Sequence, residues 1–340
     1  MSATALEQEI TMTEQGSTMS GIVSAQYGLD ALELRAVDRP VLEDHQLLIR
    51  VHASSVNPAE WYRVTGPFFA RMFGGGLRKP KNPAVGGDLA GTVEMVGKDV
   101  KEFQPGDEVF GTTLGAWAEY APAREPRLVH KPANVSFEEA AAAPIAATTA
   151  LQALRDHGGV QPGQKVLING ASGGVGTYAV QIAKSFGAEV TAVCSTRNVE
   201  LVRSLGADHV VDYTQEDFTR RGDRHDLMLD IAGSRSFRKF RRVLTPDATV
   251  VIVGAKFPSN KGLGPLSHLI GTRLAAVGRS QKAKFFIAKV SKEDLLVLQQ
   301  LLEAGKMRSV IDRRYELSQT AEAMRYLGEG HARGKIVITV

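Results

Sequence analysis

One glycine-rich stretch constrains the fold of this chain more than any other. Residues 165–197 read KVLINGASGGVGTYAVQIAKSFGAEVTAVCSTR. Val166–Ile168 form a continuous apolar run, which is typical of a strand covered on both faces. The turn Asn169–Gly176 contains four glycines. Apolar residues then recur at helical spacing from Val175 to Phe186, and Glu189–Val193 again has the pattern of a strand. The stretch therefore predicts a strand, a glycine turn, a helix and a second strand.

This arrangement places backbone N–H groups at the positive end of a helix, where a pyrophosphate binds. The best glycine frame is Ala171-x-Gly173-x-x-Gly176, which matches the dinucleotide fingerprint except that its first glycine is an alanine. Gly173 would let the backbone approach the phosphates, and Gly176 would let helix and sheet pack closely. The alternative is a glycine turn without a ligand, but the strand and helix around it favour a dinucleotide site. The predicted cofactor-binding residues here are Ala171, Ser172, Gly173, Gly174, Val175 and Gly176.

The end of the second strand indicates which cofactor binds. NAD-binding folds place Asp or Glu there, whereas this chain has Cys194 followed by Ser195, Thr196 and Arg197. Hydroxyl groups and a guanidinium bind a 2′-phosphate that a carboxylate would repel. The residues therefore predict NADPH. The alternative is that Ser195 and Thr196 cap the next helix and that Arg197 is solvated.

Composition narrows the class of protein. The 340 residues suggest two domains, and the formal net charge is +4, from 41 Lys and Arg against 37 Asp and Glu. The basic runs Arg220-Arg221 and Arg238–Arg242 favour solvated helix faces over a nucleic-acid patch. The single cysteine, Cys194, excludes an internal disulfide and predicts a cytoplasmic protein. The sequence contains no run of 18 apolar residues, so no membrane span is predicted. Residues 1–20 are expected to be a flexible tail.

The rest of the chain divides into two kinds of pattern. Short alternating strands with Gly/Pro turns extend from residue 21 to about residue 122 and predict a barrel-like β domain. Within it, the loop Thr65–Pro83 carries several aromatic residues beside glycines, and a mobile lid and a loop docked into the core are equally good interpretations. Ser136–Leu154 is helical, with a Ser136/Glu139 capping box and a break at Pro144. Strands and helices then alternate from Asn198 to Val253, which predicts a doubly wound parallel sheet.

Five motifs, in this order along the chain, point to a known family. They are Ser54-Ser55-Val56-Asn57-Pro58, Gly87–Val93, Phe103–Val109, Ala171–Gly176 and Gly334–Val337. With them the chain resembles the medium-chain dehydrogenase/reductase superfamily, in its zinc-free, quinone oxidoreductase-like branch. The resemblance implies an α/β fold with a GroES-like β-barrel catalytic domain (residues 21–145 and 286–340) and a Rossmann doubly wound parallel-sheet domain that binds NADPH (residues 146–285). It also implies a homodimer.

The zinc branch of that superfamily has a Gly-His-Glu motif and a ligand cysteine. This chain has Gly86-Gly87-Asp88 at that motif and lacks the cysteine. Asp88 alone does not hold a catalytic zinc, which needs about three protein ligands. We therefore predict no metal site. Without a metal, hydrogen bonds must polarise a carbonyl, and this suits quinones and conjugated enones better than unactivated alcohols or ketones.

The resemblance also implies the site residues. Asn57 and Tyr62 would lie beside the nicotinamide, Asn57 orienting the substrate or ribose and Tyr62 donating to the substrate oxygen. Other interpretations are that Asn57 is a turn residue before Pro58 and that Tyr62 only packs. The further cofactor-binding residues implied are Thr148, Tyr213, Val253, Gly254 and Ala255.

These observations favour an NADPH-dependent, metal-independent oxidoreductase that transfers hydride to a quinone or an α,β-unsaturated carbonyl. Its partners would be such a small molecule and a second copy of the chain, with no nucleic acid and no membrane. An enoyl-thioester reductase and a non-catalytic NADPH-binding regulatory protein are the alternatives.

Overall fold

The computed structural model of the chain describes residues 18–72, 76–254, 268, 270–272, 275 and 280–340. Within these residues the chain forms two large sheets, one mostly antiparallel and one parallel, with helices between and around them. No helix in the described ranges is both long enough and apolar enough to cross a bilayer.

The amino-terminal part is a β domain of short strands. The strands are β1 (Thr18–Ser24), β2 (Leu32–Asp38), β3 (Gln46–Val56), β4 (Asp88–Val96), β5 (Glu108–Thr112), β6 (Tyr120–Arg124) and β7 (Leu128–His130). Helices α1 (Pro58–Thr65) and α2 (Phe68–Ala70) follow β3. β3 pairs antiparallel with β4 and β6, and β5 joins β4 to β7. Alternation along β3 buries Leu47, Ile49 and Val51 in the barrel core, because successive side chains point to opposite faces.

The structure corrects the expected extent of the amino-terminal tail and decides part of the interpretation of the loop Thr65–Pro83. Thr18–Ser20 belong to β1 and Met19 is buried, so the tail expected over residues 1–20 does not extend through Ser20. In the loop Thr65–Pro83, Phe68 and Met72 are exposed, which excludes docking of these two side chains into the core. Exposure of large apolar groups here is compatible with the lid interpretation.

An alanine-rich segment connects the β domain to the parallel sheet. It contains α3 (Phe137–Ala141) and α4 (Pro144–Gln152), and the capping box and the break at Pro144 are confirmed. The alanines of both helices are buried in one apolar cluster with Phe110 of the β domain and Ile168 of the parallel sheet. Because alanine side chains are small, both domains approach these helices closely, and this packing holds the two domains against each other.

The parallel sheet contains the glycine turn. Its elements are β8 (Lys165–Asn169), α5 (Gly174–Ser185), β9 (Glu189–Cys194), α6 (Val199–Ser204), β10 (His209–Asp212), β11 (His225–Asp230), α7 (Phe237–Phe240), β12 (Leu244–Ile252) and β13 (Lys282–Phe285). The strand order is β10-β9-β8-β11-β12-β13, with every neighbouring pair parallel. This confirms the doubly wound α/β fold. The order reverses between β8 and β11, and ligands bind beyond the strand ends at such a switch point.

The chain then returns to the first sheet. After α8 (Lys292–Glu303), strand β14 (Ile311–Glu316), helix α9 (Thr320–Gly328) and strand β15 (Lys335–Thr339) complete the fold. β15 pairs antiparallel with β3 and parallel with β14. The sequence did not predict β13 or β14, because both are edge strands rich in Lys or Arg. The helix expected over Ser236–Leu244 is also shorter, since Leu244 already begins β12.

Candidate active site

The glycine turn has the shape that a pyrophosphate site requires. A Cβ on Gly176 would overlap the carbonyl oxygen of Gly170, so only glycine allows α5 to approach the end of β8 this closely. A Cβ on Gly173 would meet only Gly170 O, at 3.6 Å, so its surroundings are open. Gly173 is the N-cap residue of α5, and the first N–H groups of a helix have no partner within the helix, so they are available to an anion. Ala171 is buried, and Val175 packs against the core.

Ser172 and Ser195 are connected by a residue that sequence reasoning missed. The buried Asn198 donates through Nδ2 to Ser172 Oγ (2.9 Å) and to Ser195 Oγ (3.2 Å). Its Oδ1 is buried without a hydrogen-bond partner among the described residues. An unsatisfied buried acceptor costs free energy unless a ligand donates to it, so it fits a hydroxyl-bearing ligand. Ser195 makes no side-chain capping bond, which contradicts the capping alternative for that residue.

The place predicted to select the 2′-phosphate carries charges of both signs. Thr196 Oγ1 donates to Asp212 Oδ2 (2.5 Å) and contacts Thr214 Oγ1. This hydrogen bond keeps the pKa of the Asp212 carboxyl below its usual range. The position is therefore not free of a carboxylate. No acid follows β9 in the sequence, but β10 pairs with β9 and brings Asp212 opposite Cys194.

Two guanidinium groups lie close to the same place. Arg197 is exposed and donates through Nη2 to the carbonyl oxygen of His331 (2.8 Å), while Arg333 Nη2 lies 3.4 Å from the carbonyl oxygen of Arg197. Tyr213 follows β10 directly, with 51% of its surface exposed. Arg333 is 136 residues from Arg197, and only the return of the carboxyl-terminal segment brings it here.

The other residues expected around the cofactor lie at the strand ends or in α4. A Cβ on Gly254 would overlap the carbonyl oxygen of Ile231, so the backbone approach there requires glycine. Val253 N donates to Asp230 O (3.0 Å), and Ala255 lies outside the described residues. Thr148 is fully buried in α4, and within the described ranges its Oγ1 has no partner. Like Asn198 Oδ1, this orphaned atom fits contact with a polar ligand.

Asn57 belongs to a buried polar network rather than to a simple turn. Its side chain does not cap α1. Nδ2 donates to Asp88 Oδ2 (2.9 Å), and Oδ1 accepts from Lys335 Nζ (2.5 Å). Asp88 also accepts from Ser55 Oγ (2.6 Å) and from Ile145 N (2.9 Å). The amide of Asn57 is therefore held in one orientation.

Lys335 connects this network to the glycine turn. It is only 3% exposed, so its charge is not solvated although it lies in a strand. Burial lowers the pKa of the amine, and the neighbouring Asp88 and Glu60 oppose this effect. Its Cδ lies 3.2 Å from where a Cβ would stand on Gly174, the first residue of α5.

Tyr62 occupies a different environment. It is partly buried in α1, packs against the apolar cluster of the β domain that includes Leu317, and meets Trp61 edge-on at 5.4 Å between ring centroids. The packing interpretation therefore holds for its ring. Its proposed donation to a substrate stays a prediction.

The side chains here do not fit a zinc ion. In the described part of the chain, no group of three or more His, Cys, Asp or Glu residues could hold a metal. Gly87 stands where the zinc branch has its histidine ligand, and the carboxyl group of Asp88 already accepts hydrogen bonds from Ser55 and Asn57. An amide and a lysine beside a carboxyl group are not a zinc donor set.

Comparisons with known proteins agree with this architecture. Residues 43–133 match the alcohol dehydrogenase GroES-like domain, and residues 205–338 match a family described as zinc-binding dehydrogenase. Among curated relatives, a chloroplastic quinone oxidoreductase QR1 of Triphysaria versicolor is 35% identical, over 95% of this chain and 99% of the relative. A 2-methylene-furan-3-one reductase of Solanum lycopersicum is 34% identical, over 92% of this chain and 76% of the relative.

A solved structure is similar over nearly the full length of both chains. The quinone oxidoreductase from Coxiella burnetii superposes with a TM-score of 0.82 at 30% identity, covering 95% of this chain and 100% of that one. Both the barrel and the parallel sheet are therefore shared with proteins of this kind.

Proposed function

Because the chain belongs to the medium-chain dehydrogenase/reductase superfamily, among homologues of quinone oxidoreductases, we propose that it is an NADPH-dependent, metal-independent reductase of quinones or α,β-unsaturated carbonyls. It is an oxidoreductase of a family that binds a nicotinamide cofactor. The cofactor, when bound, supplies the hydride. The names of relatives that reduce quinones and a furanone support this substrate class.

One observation carries the proposal. Lys335 contacts both halves of the site, with its stem against Gly174 of the glycine turn and its amine on the amide of Asn57. The turn proposed to bind a pyrophosphate and the amide proposed to orient the substrate are therefore within one side chain's length of each other. Such a spacing suits a dinucleotide that lies across the cleft, with its reactive end toward Asn57.

The residues of the cleft have distinct roles in this proposal. Asn57 donates one amide hydrogen to Asp88, so its other amide hydrogen remains for a substrate or ribose oxygen. A donor fixed in advance stabilises developing negative charge by a few kcal/mol, since it does not need to reorient. Tyr62 is the second proposed donor. Quinones and enones need no more polarisation than such donors provide.

The preference for NADPH rests on Arg197 and Arg333. Arg197 follows β9 closely and Arg333 contacts its backbone carbonyl, so both are available to bind a 2′-phosphate at the end of β9. Asp212 opposes them, but its carboxyl group is already engaged by Thr196 and Thr214. We propose that the two positive charges outweigh one hydrogen-bonded negative charge. A homodimer is part of the same proposal.

The test is a substrate panel with purified protein. A quinone, a simple enone and an acyl thioester are each incubated with NADPH or NADH, with and without a metal chelator, while the nicotinamide absorbance is followed. We expect turnover of the quinone or the enone, faster with NADPH and unchanged by the chelator. Binding of NADPH without turnover of any substrate would favour the regulatory alternative, and turnover that requires zinc would contradict the proposal.

A further inference from the structure

Three ionisable side chains are buried together around Asn57. Glu60 is 7% exposed, Asp88 is fully buried and Lys335 is 3% exposed. Lys335 Nζ lies 3.7 Å from Asp88 Oδ2, and both groups hold the amide of Asn57 between them. The cluster contains two carboxyl groups but only one amine. It is therefore short of positive charge whenever both carboxyl groups are ionised, which is costly in a desolvated place.

Glu60 is the less satisfied of the two carboxyl groups. The Asp88 carboxyl group accepts three hydrogen bonds, from Ser55, Asn57 and Ile145, whereas Glu60 Oε2 has no partner among the residues that the structure describes. Glu60 reaches into the space that a side chain at position 87 would fill, because a Cβ on Gly87 would lie 2.5 Å from its Oε1. Glycine at this position thus leaves room for an acid.

The surroundings of Glu60 leave its protonation finely balanced. Burial, with a smaller contribution from Asp88 on β4, raises its pKa to about 7, and Lys335 on β15 opposes the change. On its own helix α1, Arg63 is the other charged group that interacts with it. A small change in the local positive charge therefore changes whether Glu60 holds a proton near neutral pH.

Lys335 links the glycine turn to Glu60, so a ligand at the turn can change the charge that Glu60 experiences. Its stem lies against Gly174, at the amino end of α5, while its amine lies in the buried cluster. An anion at the glycine turn interacts with the same positive charge that favours ionised Glu60. The anion adds negative charge near Glu60, and a nearby like charge favours the protonated carboxyl group.

We propose that Glu60 is the proton-binding group of this site, and that it takes up its proton when the pyrophosphate of the dinucleotide binds beside Lys335. This inference rests on the proposed function, because it requires the dinucleotide. A two-electron reduction of a quinone consumes one proton besides the hydride. In that step the O–H bond of Glu60 breaks as the O–H bond of the product forms, its electron pair stays on the carboxylate beside Lys335, and solvent returns the proton.

Calorimetry of NADPH binding tests the uptake directly. Titrations at about pH 7, in buffers of different ionisation enthalpy, give the number of protons bound together with NADPH. A group that is half-protonated before binding takes up at most about half a proton. We expect an uptake approaching this limit in the wild type, almost none in Glu60→Gln, and the wild-type value in Glu322→Gln, which makes the same change on the exposed face of α9.

The outcomes separate the two proposals. No heat of NADPH binding in the wild type would contradict the proposed function, whereas binding without proton uptake would overturn only the role of Glu60. Uptake that persists in Glu60→Gln would assign the proton to Lys335 or Asp88 and would also overturn it. Should Glu60→Gln fail to fold, infrared difference spectra decide. NADPH must then increase a protonated-carboxyl band in the wild type, and that band must shift in Glu60→Asp.

Discussion

At the scale of single residues, Gly173 and Gly176 have different surroundings, so replacing each with alanine should have a different effect. Gly173→Ala adds a methyl group in ordinary contact with Gly170 O, so the thermal midpoint should stay near that of the wild type. The methyl group occupies the open space of the phosphate site, so NADPH affinity should fall by about 10-fold or more, equivalent to losing one charge-assisted hydrogen bond.

Gly176→Ala should instead destabilise the fold itself. Its methyl group would overlap a backbone oxygen that cannot move without separating α5 from β8. Overpacking of this kind costs about 1–3 kcal/mol. Urea unfolding of both variants, with NADPH binding measured in parallel, checks this pair. Equal stability losses in Gly173→Ala and Gly176→Ala would contradict the distinction.

Arg197 and Asp212 are expected to determine cofactor selectivity. Arg197→Gln removes a charge without removing bulk, and we expect the affinity ratio of NADPH to NADH to fall by about 10-fold, since a hydrogen bond to a charged group contributes about 1.5–3 kcal/mol. Asp212→Asn should change the ratio in the opposite direction, because it removes a negative charge near the same phosphate. Fluorescence titration with both dinucleotides measures the ratio. A Glu216→Gln variant, on the exposed loop after β10, is the control.

Glu60 should make the stability of the cofactor-free protein depend on pH. Its pKa is raised from 4.5 to about 7, so between these values the folded state holds a proton that the unfolded state has lost. Stability therefore falls as the pH rises through this window, by about 3 kcal/mol in total. Glu60→Gln should remove this slope, as measured by urea unfolding at about pH 5 and about pH 8. A slope equal to that of the wild type would show that Glu60 is not its origin.

At the scale of elements, helix α3 depends on its capping box. Ser136 Oγ accepts from Glu139 N (3.2 Å), and Glu139 Oε2 accepts from Ser136 N (3.0 Å). Ser136→Ala should cost about 1 kcal/mol in unfolding experiments, whereas Ser136→Asp should cost little, because aspartate also caps a helix. Since the alanines of α3 and α4 pack against both domains, both domains should unfold in the same transition in each variant.

At the scale of the whole molecule, the exposed edge of the parallel sheet predicts the oligomer. β13 pairs with β12 on one side and, within the described residues, with no strand on the other. Phe285 is 45% exposed and Ile287 is 77% exposed beside this edge. A second copy that pairs along β13 would cover both side chains and satisfy the free backbone groups.

Analytical ultracentrifugation checks this prediction. We expect the wild type to sediment as a dimer and Ile287→Lys as a monomer. Val41→Lys, which replaces an apolar residue that is 82% exposed far from β13 in the sequence, should remain a dimer. A dimer that persists in both Ile287→Lys and Phe285→Lys would place the interface elsewhere.

The sequence alone determined the features that depend on neighbouring residues. The glycine spacing around Gly176 specified the turn between β8 and α5, because a Cβ is excluded there by the turn's own backbone. The Ser136/Glu139 pair specified the start of α3 in the same way. Apolar runs and their period specified the parallel sheet, since burial of one or both faces imposes that period on each strand.

Only the tertiary structure decided which charged groups meet. Asp212 faces Thr196 because β10 pairs with β9 in a particular register, and no property of the residues after Cys194 encodes that register. Lys335 is buried with Asn57 and Asp88 because β15 returns to β3 after more than 270 residues. The physical reason is that the pattern of a strand specifies which face is buried, whereas the protonation and partners of a buried charge depend on side chains from other strands.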